Sequence, residues 1–239
     1  MHEMIPIRDT NPSSGTPVVT YMIIASCTVA FLFQLSLGAQ LQSYLMKYGL
    51  VPAAVFGQQP GLSFGGVGKL VPFLSSVFMH GGWLHLIGNM WILNIFGDNV
   101  ESYLGHARYL LIYLLSGILA GLIHVLTNLG STVPTIGASG AVAGVMGAYF
   151  ILYPGARILT FVPIFFFFTL MELPAYVFLG LWFLLQFFSG TFSLFAGAQA
   201  FTGIAWWAHI GGFLVGIGLL KLFAPPRRYR RDNSFDYWH

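Results

Sequence analysis

Six runs of apolar residues divide the chain, and each is about as long as a helix needs to cross a lipid bilayer. A helix of roughly 17–25 residues spans the ~30 Å hydrocarbon core. The runs cover residues 17–37, 83–102, 109–126, 138–153, 173–188 and 203–223, and Pro, Gly, Asn or charged residues bound them. The sequence therefore predicts an all-α, polytopic membrane protein, a bundle of six transmembrane helices.

The composition supports a membrane protein and excludes two other classes. Of the 239 residues, 56% are apolar and 7% are charged, against about 45–50% and about 25% in soluble domains. A formal net charge of +3 is lower than the basic density of a nucleic-acid binder. The low charged fraction also excludes a disordered tail. The single cysteine, Cys27, lies in the first apolar run. It excludes an intrachain disulfide and predicts a small buried apolar side chain.

The predicted organisation is a single membrane domain over residues 1–239. A short cytoplasmic N-terminus of residues 1–16 precedes an uncleaved first span, and a basic cytoplasmic tail covers residues 224–239. Residues 38–76 are rich in Gly, Pro and Gln. Because this connection is the longest between two spans, it predicts an external or interfacial subdomain.

The apolar stretch 161–172 does not fit the helical pattern. Pro163 lies within it and Pro174 follows it, and proline breaks a helix interior because it lacks an N–H and clashes with the preceding turn. One straight helix therefore does not run from this stretch into the fifth span. We expect an interfacial turn or half-segment here.

The basic residues predict the orientation, because Lys and Arg are retained on the cytoplasmic side. With six spans, both ends share one side, and only Lys47 and Lys69 fall on the other. The residues on the shared side are Arg8, Arg108, Arg157, Lys221, Arg227, Arg228, Arg230 and Arg231. We therefore expect both termini in the cytoplasm. As the host membrane we expect a plasma (inner) membrane.

Polar residues inside a membrane are costly and are functional candidates by default. The second span carries His85 and Asn89, which are four residues apart and so share a helical face. His80 precedes that span, Ser139 stands at the start of the fourth span in Gly-Ala-Ser-Gly, and His209 stands near the start of the sixth. All three spans run from outside to inside.

Helix rise places three of these residues at one depth. At ~1.5 Å per residue, His85, Ser139 and His209 lie roughly 20–21 Å from the cytoplasmic ends of their spans. This is about 9 Å below the outer edge of a ~30 Å core.

Two glycine pairs predict that the fourth and sixth spans touch. Gly140 and Gly144 form a GxxxG pattern in the fourth span, and Gly212 and Gly216 form another in the sixth. Glycines at this spacing let transmembrane helices approach closely. Because His209 lies three residues before Gly212, the packing face of the sixth span carries it.

A serine hydroxyl becomes a strong nucleophile when a neighbouring imidazole accepts its proton. The acids in or next to the spans are Asp98, Glu101 and Glu172, and all map near cytoplasmic ends. The usual third, orienting partner of a triad is a carboxylate, and none is available near this cluster, so the sequence predicts a Ser–His dyad. The side chains of Asn89 and His85 and the backbone N–H of Ser139 are candidate donors to an oxyanion.

The combination of these motifs resembles the rhomboid family of intramembrane serine proteases. The resemblance covers about residues 73–218 and includes Glu101-x-x-x-Gly105-x-x-Arg108-Tyr109 and Tyr153-Pro154-x-Ala156-Arg157. It implies that Ser139 is the nucleophile and His209 the general base. His85, Asn89 and the backbone N–H of Ser139 would form the oxyanion hole, with Gly137 in support. By the same resemblance, residues 38–76 correspond to the membrane-embedded L1 loop, and the fifth span to the element that admits substrate.

One position departs from the family pattern. Members often carry Tyr or Phe one turn after the nucleophile, packed on the base, and this chain has Ala143 there. Trp206 or the close contact at Gly212 would then hold His209. His80 either bonds within its loop or helps retain water in an outward-open cavity, and the structural role is favoured. His106 and His124 have no partner that the sequence identifies.

The resemblance implies a peptidase without metal or organic cofactor, whose partners are transmembrane protein substrates and the lipid bilayer. A metal site at His80, His85 and His209 is disfavoured because no HExxH and no nearby acid completes it. No internal repeat of a transporter is visible. An inert relative that binds transmembrane helices for quality control would lack the dyad, which this chain has.

Overall fold

The protein is mostly helical, and its long helices coincide with the predicted apolar segments. The computed structural model describes residues 4–57, 66–164, 167–195 and 205–225. In chain order the helices are α1 (Val18–Ser36), α2 (Leu41–Tyr48), α3 (Pro52–Val55), α4 (Val71–Ser75), α5 (Trp83–Leu104), α6 (His106–Thr127), α7 (Ser139–Leu152), α8 (Ala175–Phe195) and α9 (Trp206–Phe223). The six predicted segments correspond to α1, α5, α6, α7, α8 and α9.

Four of these helices, α1, α6, α8 and α9, are each long and apolar enough to cross a membrane. Helix α5 meets the same criterion together with Gly68–Phe78, from which an 82° bend separates it. Helix α7 is apolar but has only 14 residues, or about 21 Å of length. The chain is therefore a multi-pass membrane protein, and the count of six spans stays a prediction.

Helix α7 lies at the centre of the bundle, against α5, α6 and α9. Every residue from Gly140 to Tyr149 is buried, and most of them are Gly, Ala or Val. A Cβ on Gly212 would lie 2.1 Å from the carbonyl oxygen of Gly140, and one on Gly216 would lie 1.9 Å from that of Gly144. The predicted contact between the fourth and sixth spans is thus confirmed, and it requires glycine.

The described parts of the connection 38–76, residues 38–57 and 66–76, contain three short helices. They are α2, α3 and α4, with a 3-10 turn at Gly38–Gln40 and another at Gly66–Leu70. Leu70, Val71 and Leu74 are exposed on α4 and its approach. This apolar surface suits a lipid interface, and the interfacial subdomain stays a prediction.

The described residues of the segment 161–172 lie in two paired β-strands, where a turn or half-segment was expected. Strand β1 (Ile5–Asp9) pairs with β2 (Arg157–Ile164), which pairs with β3 (Phe167–Pro174), and both pairings are antiparallel. The β-branched and aromatic residues of this segment favour strands. Pro174 ends β3, so α8 starts only at Ala175.

The sheet lies where α7 ends and α8 begins, next to the N-terminus. The pairing of β1 with β2 brings Arg8 and Arg157 to one end of the bundle. At this end the carboxylate of Glu101, on α5, accepts hydrogen bonds of 2.8 Å from the backbone N–H groups of Val19 and Thr20. It satisfies donors that the first turn of α1 leaves free.

Candidate active site

Ser139 is the first residue of α7, and the loop before it is held at several points. The backbone N–H of Gly137 donates to the carbonyl of Ser76 at 2.9 Å. Further back, Leu50 and Thr135 form an antiparallel bridge. The first intrahelical hydrogen bond of α7 runs from Val142 N–H to Ala138 O. The N–H groups of the first turn, including that of Ser139, therefore have no acceptor within the helix.

The side chains of Ser139 and His209 are hydrogen-bonded. The distance from Ser139 Oγ to His209 Nε2 is 2.8 Å, although 70 residues separate them along the chain. The approach of α7 and α9 at Gly140 and Gly212 makes this contact possible. With Nε2 as the acceptor, the imidazole is positioned to take the hydroxyl proton.

The other ring nitrogen of His209 contacts a residue that the sequence analysis did not select. His209 Nδ1 lies 2.8 Å from Oε1 of Gln186, on α8, and the Gln186 side chain is buried. Hydrogen bonds therefore connect the Ser139 hydroxyl, the His209 imidazole and the Gln186 amide oxygen in a chain. The one signal in the sequence was a polar residue inside the apolar segment 173–188.

Two tryptophans flank the imidazole where the family aromatic is missing. The ring of Trp182 lies 6.1 Å from that of His209 at 33°, and the ring of Trp206 lies 6.4 Å away at 84°. Ala143 is buried and too small to cover the ring. Trp206, expected from the sequence, is thus one neighbour of the imidazole of His209, and Trp182 is a second.

His85 lies beside the serine. Its Cε1 and Nε2 atoms are 2.7 and 2.8 Å from the point where a Cβ of Gly137 would stand, and Ser139 Oγ is 3.7 Å from that point. Gly137 also has a φ of +138°, which side chains disfavour. Its N–H is taken by Ser76, so Gly137 supports the site by giving space to His85.

Asn89 lies one helical turn from His85 and is buried. Its amide nitrogen donates to the carbonyl of His85 at 2.9 Å. An amide group carries two N–H bonds, so one remains for another acceptor.

His80 is almost fully buried, and its ring centroid lies 5.2 Å from that of His85. Its backbone is held by Gln34, which accepts from the His80 N–H at 3.0 Å and donates to the His80 carbonyl at 3.1 Å. Among the described residues, neither ring nitrogen of His80 has a hydrogen-bond partner. Gln34 thus fixes the backbone of His80, and the His80 ring packs against the ring of His85.

The two histidines without an expected partner both have one. His124 Nε2 lies 2.8 Å from the hydroxyl of Thr135, in the loop that leads to Ser139. His106 Nδ1 lies 2.6 Å from Oε1 of Glu101. Neither contact has a helical i to i+4 spacing, and sequence periodicity does not predict such contacts. His124 contacts the loop that leads to Ser139, and His106 contacts Glu101 at the opposite end of the bundle.

Over the described ranges, no group of three or more His, Cys, Asp and Glu side chains lies close enough to hold a metal ion. The His209 imidazole contacts the Ser139 hydroxyl, and the ring of His85 lies nearby. This arrangement can move a proton between a hydroxyl and an imidazole.

These features define a class: a polytopic membrane protein that pairs a serine with a histidine inside its helical bundle. The chain belongs to the rhomboid family. The family model described as "Rhomboid domain" matches residues 67–226, more than half of the chain. The matched region contains Ser139, His209, His85, Asn89 and Gln186.

Named relatives agree with this assignment. The chain is 27% identical over 232 residues to the presenilin-associated rhomboid-like protein, mitochondrial, of Homo sapiens, covering 96% of this chain and 54% of that protein. It is 30% identical over 176 residues to Rhomboid protein 1, mitochondrial, of Saccharomyces cerevisiae, covering 70% of this chain and 47% of that protein. The chain thus spans about half the length of these curated relatives.

Proposed function

We propose that this protein is an intramembrane serine endopeptidase that cleaves transmembrane segments of other membrane proteins. The observation that carries the proposal is the 2.8 Å contact between Ser139 Oγ and His209 Nε2. Membership of a family that includes serine proteases supports it.

In the proposed reaction, Ser139 Oγ attacks the carbonyl carbon of the scissile peptide bond while its proton moves to His209 Nε2. The C–N bond then breaks, and His209 returns the proton to the leaving amine. Water attacks the resulting ester with His209 again as the base, and this step frees Ser139. No metal or organic cofactor takes part.

The tetrahedral intermediate carries a negative oxygen that needs donors already in place. We assign this task to the side chains of His85 and Asn89 and the backbone N–H of Ser139. The adjacency of His85 to Ser139 across Gly137 supports the assignment. The positive end of the α7 dipole, directly at Ser139, acts in the same direction.

The test is a serine-reactive probe on the protein in lipid vesicles. A fluorophosphonate should modify Ser139, as peptide mapping by mass spectrometry would show, and His209→Ala should not react. Labelling at another serine, or none in folded protein, would contradict the mechanism.

The family also contains inactive members, so a second function is that of a binder of transmembrane helices. The contact between Ser139 and His209 favours the peptidase. A binder would retain a transmembrane partner without producing fragments, whereas the peptidase should release two products from it.

We propose that both termini face the cytoplasm and that cleavage occurs toward the opposite side. The excess of Arg and Lys near one end of the bundle supports this orientation. The sequence predicts a plasma (inner) membrane, whereas the relatives named above are mitochondrial by name. Protease protection of tagged termini, with fractionation of the membranes, tests the orientation and the compartment together.

A further inference from the structure

Gln186 is a buried polar side chain on the otherwise apolar α8. The hydroxyls of Thr191 and Ser193, on the same helix, donate back to the carbonyls of Phe187 and Gly190 at 2.8 and 2.7 Å. Gln186 instead reaches across to α9, where its Oε1 lies 2.8 Å from His209 Nδ1. A polar side chain inside a membrane is costly, so it is a functional candidate by default.

The chemistry of this contact decides the proton positions on His209. Oε1 of an amide carries no hydrogen, so it accepts, and Nδ1 must carry the proton. In a neutral imidazole the other nitrogen then has a free lone pair. That nitrogen is Nε2, which faces Ser139 Oγ at 2.8 Å.

We propose that Gln186 is a positioning residue that holds the imidazole of His209 in the orientation and tautomer that accept the Ser139 proton. This inference rests on the proposed peptidase function. Gln186 takes the place that a carboxylate has in a Ser-His-Asp triad, without bringing a charge into the bundle. Trp182, one turn earlier on α8, covers the same ring.

Two variants separate the acceptor from the bulk of the side chain. Gln186→Met keeps the length and removes the acceptor, and Gln186→Glu keeps the acceptor. We expect Gln186→Met to lower kcat roughly 10- to 100-fold with KM unchanged, less than the ~10⁴-fold loss for a charged triad member. Gln186→Glu should stay within about tenfold of the wild type. Thr191→Val, on the same helix, is the control and should leave kcat unchanged.

A spectroscopic readout tests the inference without a substrate. In protein labelled with ¹⁵N-histidine and held in lipid, the His209 signal is the one absent from His209→Ala. We expect a protonated Nδ1 in the wild type and in Gln186→Glu, and a shift toward the Nε2-protonated form in Gln186→Met.

Two results would overturn the role of Gln186: an unchanged tautomer in folded Gln186→Met, or equal losses of kcat in the Met and Glu variants. Failure of the peptidase proposal looks different, because wild-type protein would then neither cleave nor react with the serine probe. The tautomer measurement would still decide the role of Gln186 in that case.

Discussion

At the scale of single residues, the paired side chains of Ser139 and His209 make the sharpest prediction. Ser139→Ala and His209→Ala should each abolish proteolysis, and the double variant should be no worse than either one, because members of a catalytic unit are not additive. Cleavage of a transmembrane substrate in lipid vesicles measures this effect. Ser26→Ala is the control, since its hydroxyl donates only to Met22 O on its own helix. Substantial cleavage by Ser139→Ala would rule out the serine mechanism.

Asn89 makes a separate prediction at the same scale. Asn89→Ala should lower kcat roughly 10- to 1000-fold, the range for one oxyanion donor, with little change in KM. The reason is that its contact forms with the charged intermediate and not with the bound substrate. Steady-state kinetics and thermal unfolding are measured together. If kcat stays constant and only the unfolding temperature falls, Asn89 stabilises α5 instead.

The sequence predicts the pairing of Ser139 with His209 because both lie in spans whose glycines force close contact. It does not predict Gln186, since a polar residue near the end of an apolar run has many possible partners. The aromatic ring beside His209 illustrates the same limit. Trp182 covers the imidazole from another helix, and the choice of that helix depends on tertiary packing, not on local pattern.

At the scale of elements, the close contact of α7 and α9 brings Ser139 and His209 within hydrogen-bond distance. A Cβ at Gly216 would lie 1.9 Å from the Gly144 carbonyl oxygen, so Gly216→Ala must separate the helices. Overpacking of this kind costs about 1–3 kcal/mol, and a shift of ~1 Å between the two reacting side chains can cost about 100-fold in rate. Thermal unfolding in detergent and cleavage rates measure both effects.

Gly218→Ala is the matched control, because the same helix leaves open space around Gly218. It should keep both the unfolding temperature and the cleavage rate. Equal losses in the two variants would contradict the close-approach argument, because a Cβ at Gly218 meets no neighbouring atom and alanine has the higher helix propensity.

The N-terminal strand β1 predicts a pH dependence. Burial raises the pKa of Asp9 to about 6, with a further rise from the nearby Asp98, while the hydrogen bond from the Tyr149 hydroxyl opposes both. Because this pKa exceeds the ordinary value of 3.8, the folded state binds the extra proton between about pH 4 and 6. The contribution of protonated Asp9 to the free energy of unfolding is therefore full below about pH 4 and is lost as the pH rises through about 6.

Asp9→Asn removes this titration and keeps an oxygen that accepts from Tyr149 and from Asn99, whose amide lies 3.0 Å from Asp9. We expect the unfolding temperature of the wild type to fall by a few degrees between pH 4 and 7, and that of Asp9→Asn to fall less. Glu172→Gln, an exposed carboxylate on β3, is the control. Parallel pH profiles of Asp9→Asn and the wild type would contradict the assignment to Asp9.

The sheet itself marks where prediction from sequence reaches its limit among the elements. The prolines at positions 163 and 174 correctly indicate that no straight helix runs through this stretch. Strand β2 pairs on one side with Ile5–Asp9, more than 140 residues earlier in the chain, and on the other with β3. Sequence periodicity carries no information about such a distant partner, so an interfacial turn or half-segment was the expectation and a set of paired strands is the outcome.

At the scale of the whole molecule, the length of α7 sets the depth of the chemistry. If the end of α7 at Leu152 lies at the cytoplasmic edge, about 21 Å of helix leaves Ser139 about 9 Å below the outer edge of a ~30 Å core. A substrate helix keeps its peptide bonds hydrogen-bonded, so its carbonyl is hidden until the helix unwinds. We therefore expect cuts near the extracytoplasmic end, after small residues and before Gly or Pro, which lower helix propensity by about 1–3 kcal/mol per residue.

A series of substrates in lipid vesicles tests this depth and unwinding argument. Replacing the helix breakers of a cleaved segment with Leu should slow cleavage, and adding Gly or Pro to a resistant segment should permit it. Mass spectrometry of the product termini locates each cut, and Ser139→Ala protein controls for other proteases. Cuts at the cytoplasmic end would contradict the depth argument, because Ser139 would then lie on the wrong side of the bilayer centre. Rates that do not respond to helix breakers would contradict the need for unwinding, because a carbonyl still bonded within its helix would then be open to attack.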